Sequence, residues 1–188
     1  MDKPKIVLLD NGHGKETAGK RSPMWKDGSQ LFEWEYTRKL CDAIFLKLQE
    51  LNIYAVKIVT EDNDISLSER ANRVNRFCEQ GNCILISIHC NAGKGTGWEC
   101  WTTSSKNNSD KLTNIFVETF KELFPDKKCR GHKEKDFTIL YKSNCPSILT
   151  ENFFMDTEED CIFLMSKKGF DAIVDLHVQS ILKYIGNN

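Results

Sequence analysis

The sequence predicts an α/β protein in which helices cover both faces of a largely parallel β-sheet. Stretches with strand character alternate with stretches of helical period along the whole chain. One strand-like run, residues 83–89, is apolar almost without interruption, which is typical of a strand buried on both faces. Strands that alternate with helices in this way form parallel sheets with helical crossovers.

The first elements follow from hydrophobic period and turn signals. Residues 5–10 form an apolar run that leads into Asp-Asn-Gly-His-Gly, which predicts a strand followed by a tight turn. The polar stretch 15–30 is rich in glycine, lysine and serine and is predicted as a loop. From Glu33 to about Leu51, apolar residues recur at helical spacing and predict the first helix.

The middle of the chain continues the alternation. Residues 54–60 are predicted as the second strand. The capping box Ser-Leu-Ser-Glu at 66–69 opens a helix that runs to about residue 80. Residues 83–89 then form the third strand.

The last third predicts three more strands and two helices. Residues 98–103 form a strand with large side chains, and an amphipathic helix follows Ser109 and runs to Leu123. Two further strands are predicted at residues 137–141 and 147–152, before a C-terminal amphipathic helix. The polar segment between the strands, residues 127–135, is predicted as a loop.

Length and composition predict that residues 1–188 form a single catalytic domain. The chain has no internal repeat, low-complexity tract or linker, and its length fits a single core. A net charge of -1 gives no basic field, so neither nucleic acid nor an anionic membrane is predicted as a partner. The longest apolar runs are too short to span a membrane, so no membrane insertion is expected. The apolar run at residues 6–9 is too short for a signal peptide, so we expect synthesis in the cytoplasm.

The eight cysteines are scattered, and no Cys-x-x-Cys pair occurs, which argues against a zinc ribbon or a thioredoxin-like motif. We interpret them as small buried apolar residues in a reducing compartment.

Four residues could carry hydrolytic chemistry. A hydrolytic zinc site needs about three His or Glu ligands and one open position, and functional groups of open α/β sheets collect at the carboxyl ends of strands. His13 follows the first strand, His89 ends the third, Glu151 ends a late strand, and Glu33 opens the first helix.

Each candidate could also have an ordinary structural role. His13 could be a turn residue, and His89 a hydrogen-bonded core histidine. Glu33 could simply be a favourable charge at a helix N-terminus, and Glu35 competes with it for the same role. Glu151 follows an apolar strand, where a buried carboxylate is costly without a partner; a water on a metal ion is such a partner.

Three other residues are weaker candidates. His132 lies in the polar segment 127–135 and is predicted as a loop residue. His177 falls in the C-terminal helix and is predicted to pack. Cys90 neighbours His89, and adjacent strand residues point to opposite faces, so both are not expected to reach one metal ion.

Five motifs together resemble one known family, and the resemblance covers nearly the whole chain. They are Asp-Asn-Gly-His-Gly at 10–14, Leu-Phe-Glu-Trp-Glu-Tyr at 31–36, Leu-Ser-Glu-Arg-Ala-Asn at 67–72, Ser-Ile-His-Cys-Asn-Ala at 87–92 and Pro-Ser-Ile-Leu-Thr-Glu at 146–151. In this order they are similar to the zinc-dependent N-acetylmuramoyl-L-alanine amidases of type 3, the catalytic domains of bacterial autolysins and phage endolysins. Asn11 replaces the usual proline, Thr37 stands where asparagine is common, and bulky residues 152–156 replace small ones.

The resemblance implies a six-stranded mixed sheet and one Zn²⁺ per chain, with His13, Glu33 and His89 as ligands. It implies Glu151 as the catalytic carboxylate and general base, and it favours Glu33 over Glu35. The implied reaction is cleavage of the amide bond between N-acetylmuramic acid and L-alanine in peptidoglycan, which lyses the cell wall.

Asp10 and Asn91 are candidates for hydrogen bonds to ligands or substrate. The loops at 15–30 and 127–135, with Trp25 and Trp34, could line a groove for the stem peptide.

Two other functions stay open at this point. One is a zinc exopeptidase or endopeptidase that acts on stem peptides, and the other is a catalytically inactive wall-binding module. The expected place of action is the cell wall, reached by phage-type release or, for an autolysin, by another export route.

Overall fold

The computed structural model describes residues 6–104 and 107–186, and its centre is a six-stranded mixed sheet. The strand order is β2-β1-β3-β6-β4-β5, in which β6 and β4 are antiparallel and all other neighbours are parallel. The mostly parallel sheet expected from the sequence is therefore confirmed. Its strands are β1 (Ile6–Asn11), β2 (Ala55–Lys57), β3 (Cys83–Asn91), β4 (Trp98–Thr102), β5 (Cys129–Glu134) and β6 (Ser147–Phe154).

Helices cover both faces of this sheet, as the sequence predicts. They are α1 (Glu33–Glu50), α2 (Leu67–Cys78), α3 (Asp110–Leu123), α4 (Thr138–Lys142), α5 (Glu158–Met165) and α6 (Lys167–Ile185). A 3-10 turn, Asn107–Ser109, leads into α3. The residues of α1, α3, α5 and α6 share one hydrophobic cluster, and those of α2 and α4 share the other.

The sheet separates the two clusters because alternate residues of a strand point to opposite faces. In β1, Val7 and Leu9 pack in the cluster of α1, α3 and α6, whereas Ile6 and Leu8 pack in that of α2 and α4. This two-sided burial explains why the central strands are nearly unbroken apolar runs. Six of the eight cysteines are buried, as expected for small apolar side chains.

Two predicted elements are wrong. Residues 137–141, predicted as a strand, belong to the short helix α4, where Ile139 and Leu140 are buried against the α2 side of the sheet. The segment 127–135, predicted as a loop, contains the edge strand β5. Short apolar runs do not distinguish helix from strand, and a half-exposed edge strand lacks the alternation that marks a half-buried one.

The correction to β5 also moves His132 from a loop onto a strand, where its Nε2 lies 2.6 Å from Thr102 Oγ1. The helix α5 follows β6 and has no counterpart among the predicted elements. Within the described ranges, no helix is both long enough and apolar enough to cross a membrane.

Candidate metal centre

His13 sits in a tight turn directly after β1, and its backbone is held in the left-handed region with φ 63°. That conformation costs a residue with a side chain roughly 1–2 kcal/mol, so surrounding contacts must maintain it. The carbonyl of His13 accepts hydrogen bonds from Arg38 Nη1 at 3.1 Å and Arg70 Nη2 at 3.2 Å. The neighbouring Gly12 is required because a Cβ there would lie 2.5 Å from Nδ1 of His89.

A buried ion pair between Arg70 and Asp10 stabilises this turn. Arg70 Nη1 lies 2.8 Å from Asp10 Oδ1, and both side chains are 2% exposed. Ser87 Oγ donates to Asp10 Oδ2 at 2.6 Å, which ties the carboxyl ends of β1 and β3 together. Asp10 therefore positions the strand ends, and Arg70 explains the chemical role of the Leu-Ser-Glu-Arg motif.

His13, Glu33 and His89 converge at these strand ends and are called the metal cluster below. Glu33 Oε1 lies 3.2 Å from His89 Nδ1, and Glu33 Oε2 lies 3.4 Å from His13 Nε2. The backbone N–H of Cys90 donates to Glu33 Oε1 at 3.1 Å. One ligand atom from each of the three residues lies within 4.8 Å of the other two, so the set could hold a metal ion.

The electrostatics of the metal cluster suit a cation. Burial alone would raise the pKa of Glu33, but the nearby imidazoles of His13 and His89 outweigh it and lower the pKa. Burial likewise opposes the charged form of His89, yet Glu33 raises its pKa above the usual value. Glu33 Oε2 is buried without a hydrogen-bond partner among the described residues. A metal ion would satisfy this oxygen, so the residues fit such a group.

Glu35, the rival of Glu33, lies elsewhere. Its carboxylate is 47% exposed and pairs with Lys39 at 2.6 Å along the surface of α1. The structure therefore brings Glu33, and not Glu35, to the two histidines.

Glu151 lies beside the metal cluster, one strand away. It is the register partner of His89 across β3 and β6, and its Oε2 is buried without a hydrogen-bond partner in the described structure. Burial raises the pKa of Glu151 to about 7; His89 opposes this rise, whereas Glu33 and Glu99 add to it. A carboxyl group that titrates near neutrality is suited to accept and return a proton.

Glu99 is a residue of this neighbourhood that the sequence analysis did not single out. It is the antiparallel register partner of Glu151, and its side chain is 4% exposed. Asn91, a predicted hydrogen-bonding residue, donates from Nδ2 to Glu99 Oε1 at 3.0 Å. A single carboxylate in the apolar strand at 98–103 was the available signal, but only the register shows that it adjoins Glu151.

The remaining candidates lie outside the metal cluster. Cys90 contributes its backbone N–H while its side chain is buried in the core. His177 packs in α6, as predicted, with Nε2 3.0 Å from Thr150 Oγ1. Trp25 Nε1 donates to Cys161 at 3.2 Å, and the ring of Trp34 lies beneath the guanidinium of Arg38.

A cavity of about 420 Å³ opens beside the metal cluster. His13 and His89 form part of its wall, together with Asp10 of β1, the start of α2 and the residues just before that helix. The lining residues are Asp10, His13, Asp64, Ile65, Ser66, Leu67, Arg70 and His89. There is thus room for a substrate next to the two imidazoles.

The fold and the metal cluster together fit a metal-dependent hydrolase built on a mostly parallel sheet. The chain belongs to the N-acetylmuramoyl-L-alanine amidase family, whose sequence profile matches residues 7–183. The family resemblance drawn from the five motifs is therefore confirmed.

Individual relatives agree with this assignment. The chain is 29% identical over 182 residues to the N-acetylmuramoyl-L-alanine amidase CwlM of Bacillus licheniformis, covering 94% of this chain and 67% of that protein. It is 25% identical over 189 residues to the endolysin of Bacillus phage SPP1, covering 96% of this chain and 66% of the endolysin. The chain thus spans about two thirds of the length of these relatives.

A solved structure extends the likeness to three dimensions. The N-acetylmuramoyl-L-alanine amidase from Clostridium difficile 630 superposes with a TM-score of 0.87 at 28% identity, and the match covers 100% of both chains. Family, relatives and fold support the enzyme class predicted from the sequence, an N-acetylmuramoyl-L-alanine amidase.

Proposed function

We propose that this chain hydrolyses the amide bond between N-acetylmuramic acid and L-alanine of peptidoglycan at a zinc site formed by His13, Glu33 and His89. The observation that carries the proposal is the convergence of these three ligand atoms within 4.8 Å, with Glu151 in register with His89. Two imidazoles and one carboxylate form a ligand set that catalytic zinc uses, with one position left for water or substrate.

The reaction follows from the residues around that site. When bound, zinc supplies Lewis-acid polarisation of the scissile carbonyl and acidifies water. Glu151 takes the proton from the attacking water and returns it to the leaving amine of L-alanine. Its raised pKa of about 7 suits both transfers near neutral pH. The Cys90 N–H donates to Oε1 of Glu33 and keeps the carboxylate in place, with Oε2 3.4 Å from His13 Nε2, so that Glu33 would be held ready as a ligand.

The substrate of this proposal is an extended polymer, which needs open space beside the metal cluster. The cavity beside His13 and His89 borders the start of α2, and a second cavity of about 260 Å³ lies among residues of the 15–30 loop and Trp34. Because the SPP1 relative is an endolysin, we propose that this chain also acts on the bacterial cell wall, as an endolysin or an autolysin.

The bond that is cut can be identified directly. Purified walls are digested, the new N-termini are labelled, and the labelled residue is identified by mass spectrometry. The amidase is expected to expose L-alanine and to leave glycan strands whose muramic acid carries no peptide. Labelled diaminopimelate, lysine or D-alanine, with peptide stubs retained on the glycan, would show an endopeptidase instead.

Metal content and wall digestion distinguish the amidase from an exopeptidase and from a wall-binding module. We expect about one zinc ion per chain, whereas many exopeptidases on related sheets bind two. If the protein pelleted with walls but released no fragments in the presence of zinc, it would be a wall-binding module.

A further inference from the structure

A row of residues crosses the sheet at the level of Glu151. The row runs from His89 on β3 to Glu151 on β6, then to Glu99 on β4 and Gly131 on β5. Register partners in neighbouring strands present their side chains on the same face of a sheet. Glu151 is therefore flanked by the metal cluster on one side and by Glu99 and its partners on the other.

The carboxylate of Glu99 binds two cationic side chains next to Glu151. Its Oε2 accepts hydrogen bonds from Arg130 Nε at 2.5 Å and from Lys133 Nζ at 2.6 Å. Its Oε1 accepts from Asn91 Nδ2 and from Trp101 Nε1 at 3.2 Å. Burial works against the charged form of Glu99, but the hydrogen bonds of Lys133 and Arg130 lower its pKa, so the carboxylate is ionised at neutral pH.

The position of Arg130 depends on an irregularity in β5. Residues three apart in a regular strand point to opposite faces, so Arg130 and Lys133 would not meet on one carboxylate. The register, however, advances from Trp98–Cys129 directly to Glu99–Gly131, which leaves Arg130 as an extra residue. Gly131 adopts φ 77°, the left-handed conformation found in one class of β-bulge. This bulge turns Arg130 toward Glu99, and bulges near active sites commonly re-aim a side chain in this way.

Two cationic side chains pair with the single carboxylate of Glu99, so one positive charge is not neutralised by it. Arg130 and Lys133, called the basic pair below, face one carboxylate, and their side chains are 28% and 32% exposed. In the described part of the chain, no hydrogen bond joins the terminal Nη atoms of Arg130 to another residue. Its guanidinium lies 5.0 Å from the ring centre of Phe154, and Lys133 Nζ lies 5.1 Å from that of Trp101. The rings and Glu99 hold the basic pair in place, which lowers the entropy cost of binding an anion.

We propose that the basic pair is a subsite for a free carboxylate of the stem peptide close to the scissile amide. The subsite makes the enzyme prefer stem peptides that carry this acid over those in which it is amidated. The inference rests on the proposed function, because the ligand is part of the amidase substrate. A planar guanidinium with unused donors binds carboxylates in a two-point geometry, and the adjacent ammonium adds a third charged contact.

The test uses two synthetic muramoyl-peptides that differ only in whether the residue after L-alanine carries a free carboxylate or its amide. For the zinc-loaded protein we expect kcat/KM to be about 10–100-fold higher on the free acid, the usual effect of one or two charged hydrogen bonds. Arg130→Gln and Lys133→Gln should each reduce this ratio, mainly by raising KM for the free acid. Arg130→Lys, which keeps the charge but loses the planar fork, should fall between. Lys128→Gln, an exposed lysine just before β5, is the matched control and should keep the wild-type ratio.

Calorimetric binding of the corresponding free stem peptides separates the two proposals. If neither muramoyl-peptide is cut by the zinc-loaded protein, the proposed function fails, whereas tighter binding of the free acid that Arg130→Gln abolishes would still support the subsite. Equal kcat/KM and equal binding of the acid and the amide would overturn the subsite alone. A preference for the acid that survives in both Gln variants would also overturn it.

Discussion

The two sets of side chains that flank Glu151 are built in different ways. The metal cluster stands at the carboxyl ends of the parallel strands β1 and β3 and the start of α1, where topology alone brings residues together. The basic pair depends on an antiparallel neighbour, a register and a bulge at Gly131. The metal cluster follows from the order of the strands. The basic pair follows from a local irregularity of β5, which the hydrophobic pattern of the sequence does not predict.

The largest effect on zinc binding and activity is expected when a ligand of the metal cluster is removed. His89→Ala should abolish stoichiometric zinc binding, because three ligands leave no redundancy. The loss of amidase activity should exceed the ~10–100-fold typical of residues that only support a ligand. Elemental analysis and wall digestion measure the two effects.

Glu35→Ala is the matched control for this experiment, since Glu35 is an exposed carboxylate on the same helix as Glu33. It should keep both zinc and activity, whereas Glu33→Ala should lose both. Full zinc occupancy in the His89→Ala variant would refute the assignment of the cluster.

Glu151→Gln separates chemistry from metal binding at the residue between the two sets. We expect turnover to fall by ~10²–10⁴-fold, since the amide cannot accept the water proton. Zinc content should stay near one per chain, because the ligands of the metal cluster are untouched. Loss of zinc would make Glu151 a ligand, and unchanged turnover would remove it from the mechanism.

How far the sequence could predict each set follows from the same contrast. His13, His89 and Glu151 each end an apolar strand-like run, and the ends of parallel strands converge, so their proximity was predictable. Glu33 could be separated from Glu35 only by family resemblance, because both lie in the first turn of α1.

The β5 region could not be predicted for physical reasons. Its residues are half-buried at the edge of the sheet, so they show no alternation between apolar and polar side chains. The residues of α4 favour strands by composition, and their burial against the α2 side of the sheet overrides that preference. Without β5 as a strand, nothing in the sequence places Arg130 or Lys133 near Glu99.

A third histidine, His177, belongs neither to the metal cluster nor to the basic pair. It should affect the stability of the fold and not the function of either group. His177 is buried in α6, and burial lowers its pKa to about 4, although its hydrogen bond to the Ile173 carbonyl opposes this. The unfolded chain therefore binds an additional proton between pH 6.5 and 4, so this contribution to stability is present above pH 6.5 and is lost as pH falls. Between pH 7 and pH 5 the loss should be about 2 kcal/mol.

Denaturant unfolding of the wild-type protein and of His177→Gln, compared at both pH values, measures this contribution. The variant is expected to lose less stability than wild type on acidification, by about that amount. The same pH dependence in both proteins would show that His177 does not titrate as its burial implies.

The smallest expected effect tests whether the bulge positions the basic pair. Gly131 adopts φ 77°, and a Cβ there would meet no atom within 4 Å, so Gly131→Ala imposes a backbone cost without a clash. The free energy of unfolding should fall by about 1 kcal/mol, or the bulge should rearrange to avoid that cost. In either case Arg130 is held less firmly on Glu99, and the preference for the free acid over the amide should decrease. Zinc content and turnover of the amidated substrate should not change, since the metal cluster lies on the other side of Glu151.

Gly28→Ala is the matched control, because Gly28 has φ 81° and equally open surroundings but lies in the 15–30 loop. It should show a similar loss of stability with an unchanged acid preference. If Gly131→Ala kept the full preference while losing the same stability, the bulge would not be what places Arg130.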